Sequence, residues 1–252
     1  MKNKAMAKST PRLHVQAKLA PGRDIPLSPE QAHYLVHVLR LAGGDVVRVF
    51  NGNDGEWLAY LTDVKKKNAS IRCERALADA TPPPDIDYLF APLKHARLDY
   101  MVQKATELGV RRLRPVITKR TIAERVNLER MRANAIEAAE QCNLVFVPEV
   151  LEPVALTSVI ADWVPARKLI FCDETAVHLN PLQALQGLST PAAVLVGPEG
   201  GFSDDERRIL RGQDFVCAIS LGPRILRADT VAIAALAVVQ AAIGDWGTTQ
   251  KL

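Results

Sequence analysis

The sequence predicts an α/β fold, a parallel sheet with helices on both faces, preceded by a small β-rich module. Three observations carry this reading. Past residue 85, short apolar runs alternate with segments of helical periodicity, the pattern of strand–helix–strand units. Before residue 80 the runs are bounded by hairpin turn residues instead. Between them stands Thr81-Pro82-Pro83-Pro84, where three prolines remove three backbone donors and favour an extended spacer. The expected domains are therefore 1–80 and 85–246.

In the first segment, Val46, Val47 and Val49 lead into Phe50, and Asn51-Gly52-Asn53-Asp54-Gly55 supplies the positive φ angles of a tight turn before Trp57–Leu61 resumes the run. Leu35, Val38 and Leu39, beside His33 and His37, predict a short amphipathic helix ended by Gly43-Gly44. In the second segment, Ile86–Ala91 reads as a strand. Leu98, Met101, Val102, Ala105 and Leu108 recur at helical spacing, with Gly109 as the cap. Arg114–Ile117 is the next strand, Met131–Cys142 a helix and Val145–Val147 a strand. Leu169–Cys172, Ala192–Val196 and Phe215–Leu221 add three more strands, and a long Ala-rich helix begins near Asp229, the expected N-cap.

At 252 residues with 48% hydrophobic and 24% charged residues, the chain has the balance of a globular protein, which excludes wholesale disorder. No apolar run is long enough to span a membrane, and none follows Lys2, Lys4 and Lys8 to make a signal peptide, so a soluble cytoplasmic protein is expected. Cys73, Cys142, Cys172 and Cys217 form no C-x-x-C pair, and no metal site is expected. The net charge of +4 is uneven: residues 91–132 hold eleven Lys/Arg against four Asp/Glu. Such a basic segment suits a polyanion, nucleic acid first.

Two loops carry the chemistry. After the strand ending at Val196 comes Gly197-Pro198-Glu199-Gly200-Gly201-Phe202-Ser203, with Glu206 placed to complete a capping box on Ser203. Strand, glycine loop and helix form the usual architecture for a nucleotide-like ligand at the carboxyl edge of a sheet. The spacing matches neither a dinucleotide fingerprint nor a P-loop, which argues against a nicotinamide dehydrogenase. The second loop, Leu221-Gly222-Pro223-Arg224-Ile225-Leu226-Arg227, puts Arg227 just before a helix start, where a cation gains nothing from the helix dipole.

These two blocks, with Gln103–Val110, Glu137–Gln141, Val147-Pro148 and the H-x-x-x-V-L-R region of His33–Arg40, resemble the RsmE family. Its members are bacterial methyltransferases that modify N3 of a uridine in 16S ribosomal RNA. The resemblance runs from the N-terminal module to Ala242 and implies a SPOUT-type methyltransferase. In that fold the C-terminal segment threads a trefoil knot and a PUA-like β-barrel leads the chain, working as a homodimer on the small ribosomal subunit. It implies S-adenosylmethionine held by Val196, Gly197, Pro198, Gly200 and Gly201 and by Leu221, Gly222, Ile225 and Leu226. Arg227 and Glu199 are the candidate catalytic residues: Arg227 to stabilise the uracil anion or hold a neighbouring phosphate, Glu199 as base, cofactor ligand or loop support. Lys94, Arg97, Lys104, Lys119 and Arg120 are the candidate RNA contacts. Where the family carries Arg after E-A-A-E-Q, this chain has Cys142-Asn143-Leu144, and Thr230-Val231 replaces the usual Thr-Ala. Ribose 2′-O-methylation and a non-catalytic RNA-binding assembly factor are the alternative readings.

Overall fold

The structure is a computed structural model that describes residues 10–65, 68–123, 125–176 and 180–247; Lys2, Lys4 and Lys8 lie outside them. The chain divides into two compact units, residues up to Pro82 with Ala139–Val147, and Pro83–Ala138 with the chain from Pro148 onward. Residues 139–147, read from the sequence as part of the second segment, thus cluster with the first.

The first unit is a five-stranded sheet of β1 (Arg12–His14), β2 (Asp24–Pro26), β3 (Val46–Asn51), β4 (Gly55–Thr62) and β5 (Ser70–Ala78), in the order β1-β3-β4-β5-β2. The hairpin forms where the turn residues predict it, with Asn51 opposite Gly55. Asn51 Oδ1 accepts the N–H groups of Asn53 at 3.0 Å and Asp54 at 2.6 Å, closing the turn. Gly55 has φ +76°, and a Cβ there would stand 2.1 Å from the Ala78 carbonyl oxygen, so only glycine fits. Alternate residues Val47, Val49, Leu61 and Ile71 point into the core with Leu35. The helix predicted around Leu35 starts earlier, as α1 (Pro29–His33), because Ser28 and Gln31 build a capping box with Pro29 at the first turn. It continues as one π-helical turn, Tyr34–Val38, and Arg40 leaves the helical region at φ +57°, before Gly43 is reached.

One buried cation organises this unit. The Arg12 guanidinium donates to Glu56 Oε1 at 2.6 Å and to the carbonyls of Ala139 at 2.7 Å, Glu140 at 3.0 Å and Leu144 at 3.0 Å. It also lies 4.4 Å above the centre of the Phe50 ring. The carbonyls belong to the end of α3 (Leu128–Gln141) and the turn beyond it; that of Ala139 also takes the Leu144 N–H at 3.1 Å. Asn143 closes that end at φ +58°, a conformation asparagine tolerates, and Arg48 donates to its Oδ1 at 3.1 Å. The departure from the family pattern at this position therefore has a local role here. The strand predicted at Val145–Val147 does not form: Phe146 packs against Gly52, and Pro148 brings no N–H. Pairing resumes only at β8 (Glu149–Val150).

In the second unit β6 (Ile86–Phe90), β7 (Arg112–Ile117), β10 (Lys168–Cys172), β11 (Ala192–Val196) and β12 (Val216–Ile219) join β8 in the order β12-β10-β11-β6-β7-β8, with β9 (Val154–Ala155) also on β7. Every one of these pairings is parallel. All residues of β6 and β11 are buried, as strands covered on both faces must be. The helices are α2 (His95–Glu107), α3, α4 (Leu156–Ala161), α5 (Pro181–Ala184), α6 (Asp204–Arg211) and α7 (Ala228–Ile243). Gly109 follows α2 at φ +72°. The one polar side chain in the apolar run of α7, Gln240, is buried and donates to the Leu108 carbonyl at 2.6 Å, so it caps α2 from another helix. Asp229 is not the cap of α7: the helix starts two residues earlier than that cap requires, at Ala228, Arg227 takes the cap position, and Asp229 sits in the first turn.

Replacing Arg12 leaves buried Glu56 with only the Arg48 pair at 3.5 Å and takes the guanidinium donor from the Glu140 and Leu144 carbonyls. Arg12→Met is expected to lower stability by about 3–5 kcal/mol, the range for breaking a buried pair. Adding Glu56→Leu should recover only part of it, because the carbonyls still lack a donor; urea denaturation of the full chain measures both.

Candidate functional site

Parallel strands put their carboxyl ends on one edge, and ligands of open α/β sheets bind outside that edge. Here Cys172, Val196 and Ile219, the last residues of β10, β11 and β12, open into a cavity of about 660 Å³. That volume falls within the range of small-molecule sites. The loops after these three strands form most of its wall, with Arg97 from α2 and Arg120 after β7. All the predicted cofactor residues, together with Glu199 and Arg227, line it.

The glycine loop is shaped by close approach. Gly201 N–H donates to the Pro198 carbonyl at 2.9 Å, and Gly201 itself has φ +66°. A Cβ at Gly197 would stand 2.6 Å from the Phe202 ring. That ring cannot yield, because it is buried and packs edge-on against Phe171 at 4.9 Å between centroids. The capping box forms as predicted: Ser203 N–H donates to Glu206 Oε2 at 2.8 Å, and Glu206 N–H to Ser203 Oγ at 3.3 Å. In the second loop Gly222 has φ +100° with nothing within 4 Å of an added Cβ, so backbone conformation rather than space selects it. Ile225 is 96% exposed, an apolar side chain standing free at the cavity mouth.

Charge is divided across the cavity. On one wall Asp173 is buried and accepts from Arg211 Nε at 2.9 Å, Thr175 N–H at 3.0 Å and Thr175 Oγ1 at 2.9 Å. Arg207 stands 3.6 Å from Asp173 and pairs with Glu174. Cys172 beside them is walled in, and burial with the neighbouring Asp173 pushes its thiol up to about 12, so it is a neutral surface and no nucleophile. Arg224 and Arg227, also in the lining, are exposed and have no ion-pair partner among the described residues. Arg227 makes no side-chain cap bond. Sequence reasoning missed Cys172-Asp173-Glu174 and Arg207; an acidic pair directly after an apolar strand was the available signal.

The basic candidates separate. Arg97 faces Glu199 at 3.7 Å, and Arg120 Nη1 donates to the Gly200 carbonyl at 2.8 Å. Lys94 occupies the cap position of α2 and Lys119 the turn after β7; both are exposed. Lys104 is turned to Glu107 at 2.7 Å and lies 5.6 Å from the centre of the Tyr100 ring, away from the cavity. Among the described residues no His, Cys, Asp or Glu group of three is placed to hold a metal. No described helix is long and apolar enough to cross a membrane. Gly197→Ala is expected to push Phe202 out of its seat and weaken binding of the cofactor expected from the sequence more than tenfold, whereas Gly200→Ala, where Arg120 is nearest at 3.6 Å, should be tolerated within about threefold. Calorimetric titration distinguishes them.

Comparison with known proteins is consistent across the chain. The RNA methyltransferase domain family matches residues 81–240, and the RNA methyltransferase PUA domain family matches residues 27–73. A ribosomal RNA small subunit methyltransferase E of Rickettsia conorii is 34% identical over 234 residues, covering 91% of this chain and 94% of the relative. Its counterpart from Synechocystis is 32% identical, covering 86% of this chain and 73% of the relative. Among solved structures, a methyltransferase from Legionella pneumophila in complex with SAM superposes with a TM-score of 0.81 at 32% identity, over 94% of this chain and 99% of that one. A ribosomal RNA small subunit methyltransferase E from Neisseria gonorrhoeae, bound to S-adenosyl methionine, gives 0.82 at 28% identity, over 94% and 99%.

Proposed function

The chain belongs to the RNA methyltransferase family that carries a PUA domain, and from that premise we propose that it methylates N3 of a specific uridine in 16S ribosomal RNA, using S-adenosylmethionine. The observation that carries this reading is the glycine-lined cavity at the carboxyl edge with uncompensated arginines at its mouth. Its backbone turns, at Gly201 with φ +66° and Gly222 with φ +100°, let main chain rather than side chains face a nucleoside-like ligand.

The bound cofactor supplies an electrophilic methyl group on sulfonium sulfur; the protein's task is alignment and the handling of one proton. Val196–Gly201 and Leu221–Leu226 hold the cofactor, with Asp173–Glu174 and Arg207 offering paired charges on the adjoining wall. As the N3 proton leaves, negative charge spreads onto uracil O2 and O4, and the Arg227 guanidinium stabilises it there. Glu199 presents a carboxylate at the same mouth that accepts the N3 proton, oriented by Arg97 at 3.7 Å. Lys94 and Lys119 meet the RNA phosphates, and the N-terminal unit, a PUA-like barrel, adds further RNA contact.

The C-terminal segment is read as a SPOUT trefoil knot. The strand order supports this: β12 lies beyond β10, on the side away from β11, yet α7 packs back on β11 and α2, and α5 of the β10–β11 connection packs on α7. The enzyme is read as cytoplasmic from its ribosomal RNA substrate, and as a homodimer because Ala234, Ala237, Val238 and Ala241 form an apolar face of α7 that the chain itself only partly covers. Ala235, by contrast, is buried by its own chain, so Val238 is the proper probe. Val238→Glu should shift the mass in light scattering from twice 27.6 kDa to 27.6 kDa.

Digestion of methylated ribosomal RNA to nucleosides and mass spectrometry tests the reaction. A 3-methyluridine product is expected; a ribose-methylated nucleoside would place the enzyme with 2′-O-methyltransferases, and no product would make it a binding factor. Arg227→Ala should lower kcat about 10²–10³-fold, the effect of removing one anion-stabilising donor, with cofactor affinity unchanged within twofold.

A further inference from the structure

Beyond capping α6, Glu206 reaches a second loop. Its Oε2 takes the Ser203 N–H, while its Oε1 accepts the backbone N–H of Lys119 at 2.7 Å, from the turn after β7. That turn is stiff: Thr118 N–H donates to Thr121 Oγ1 at 2.9 Å, the two hydroxyls meet at 2.9 Å, and Thr121 N–H donates to the Thr118 carbonyl at 3.2 Å. From the same turn Arg120 extends to the Gly200 carbonyl at 2.8 Å, its stem 3.6 Å from where a Gly200 Cβ would lie. Lys119 itself is exposed. The cofactor loop and a basic turn are thus fastened at two points, one through a carboxylate and one through a guanidinium.

We propose that Glu206 and Arg120 are positioning residues that couple the binding of cofactor to the binding of RNA, the glycine loop and the Lys119 turn moving or stiffening as one body. The inference rests on the methyltransferase reading. Ordering either loop by its ligand orders the other through these bonds, so the second ligand binds to a surface already arranged. Linkage makes the effect reciprocal: RNA tightens cofactor binding by the factor by which cofactor tightens RNA binding. A role confined to helix capping would give no such coupling.

Equilibrium dialysis of labelled S-adenosylhomocysteine, against the full-length enzyme alone and saturated with small ribosomal subunits from a deletion strain, measures the coupling. Wild type should bind the cofactor product about fivefold tighter with subunits present, at the low end of typical coupling factors. Glu206→Ala and Arg120→Met should bind it equally in both arms. Ser203→Ala loses the cap hydroxyl but keeps the Lys119 bond, and should retain the wild-type ratio. Equal loss of coupling in Ser203→Ala and Glu206→Ala, or full coupling in Arg120→Met, overturns the proposal. So does a wild type that binds cofactor with an affinity indifferent to subunits, which leaves the methyltransferase reading intact. A wild type that binds no cofactor in either arm overturns both.

Discussion

Parallel pairing of the larger sheet is the constraint from which the site follows. Seven strands run the same way, so the chain must leave each at the same edge, and the connections after β6, β7, β10, β11 and β12 all begin there. Segments far apart in sequence, such as Arg120 and Gly200, meet because β7 and β11, with only β6 between them, end at the same edge. The opposite edge is tied by charge: Asp85 and Asp87 bind Arg112 at 2.6 Å each, and Arg167 lies 2.9 Å from Asp85. Burial raises the Asp87 carboxyl, while the three arginines around Asp85 outweigh its partial burial and hold that one below the usual range. One edge is locked by ion pairs; the other is left for ligands.

Across the cavity, balance gives way to excess. The carboxylates of Asp173 and Glu174 are met by Arg207 and Arg211, and that of Glu199 by Arg97, which leaves Arg120, Arg224 and Arg227 without a carboxylate partner among the described residues. A positive surplus without a counter-ion is available to a polyanion or to charge developing on a base. The exposed Ile225 between Arg224 and Arg227 adds an apolar surface that water gains nothing by covering.

What the sequence disclosed was local. The Asn51–Gly55 turn, the Gly109 cap and the Ser203–Glu206 box each depend on residues within a few positions, and each stands where its pattern put it. Position 206 also shows the limit, since its second partner, Lys119, is 87 positions away and nothing in the helix pattern points to it. Charge counting grouped Lys104 and Arg120 with the RNA contacts, but a count cannot tell a solvated cation from one turned to Glu107 or to a carbonyl. Val145–Val147 has strand composition, yet pairing needs a free neighbouring edge, and those residues pack with the first unit instead. The family resemblance located the cavity residues but was silent on Asp173 and Arg207, whose meeting depends on β10 and α6.

The Arg12 clamp bears on how the protein is made. The carbonyl of Leu144 lies 132 positions beyond the guanidinium that binds it, and Glu56 is already buried against that same guanidinium. During synthesis the N-terminal sheet leaves the ribosome long before the last of those carbonyls exists. Until residue 144 emerges, the Arg12–Glu56 pair keeps an unfilled set of donors, and closing so long a loop delays the final contact further. The clamp of the N-terminal unit therefore cannot close on the nascent chain until residue 144 has been translated.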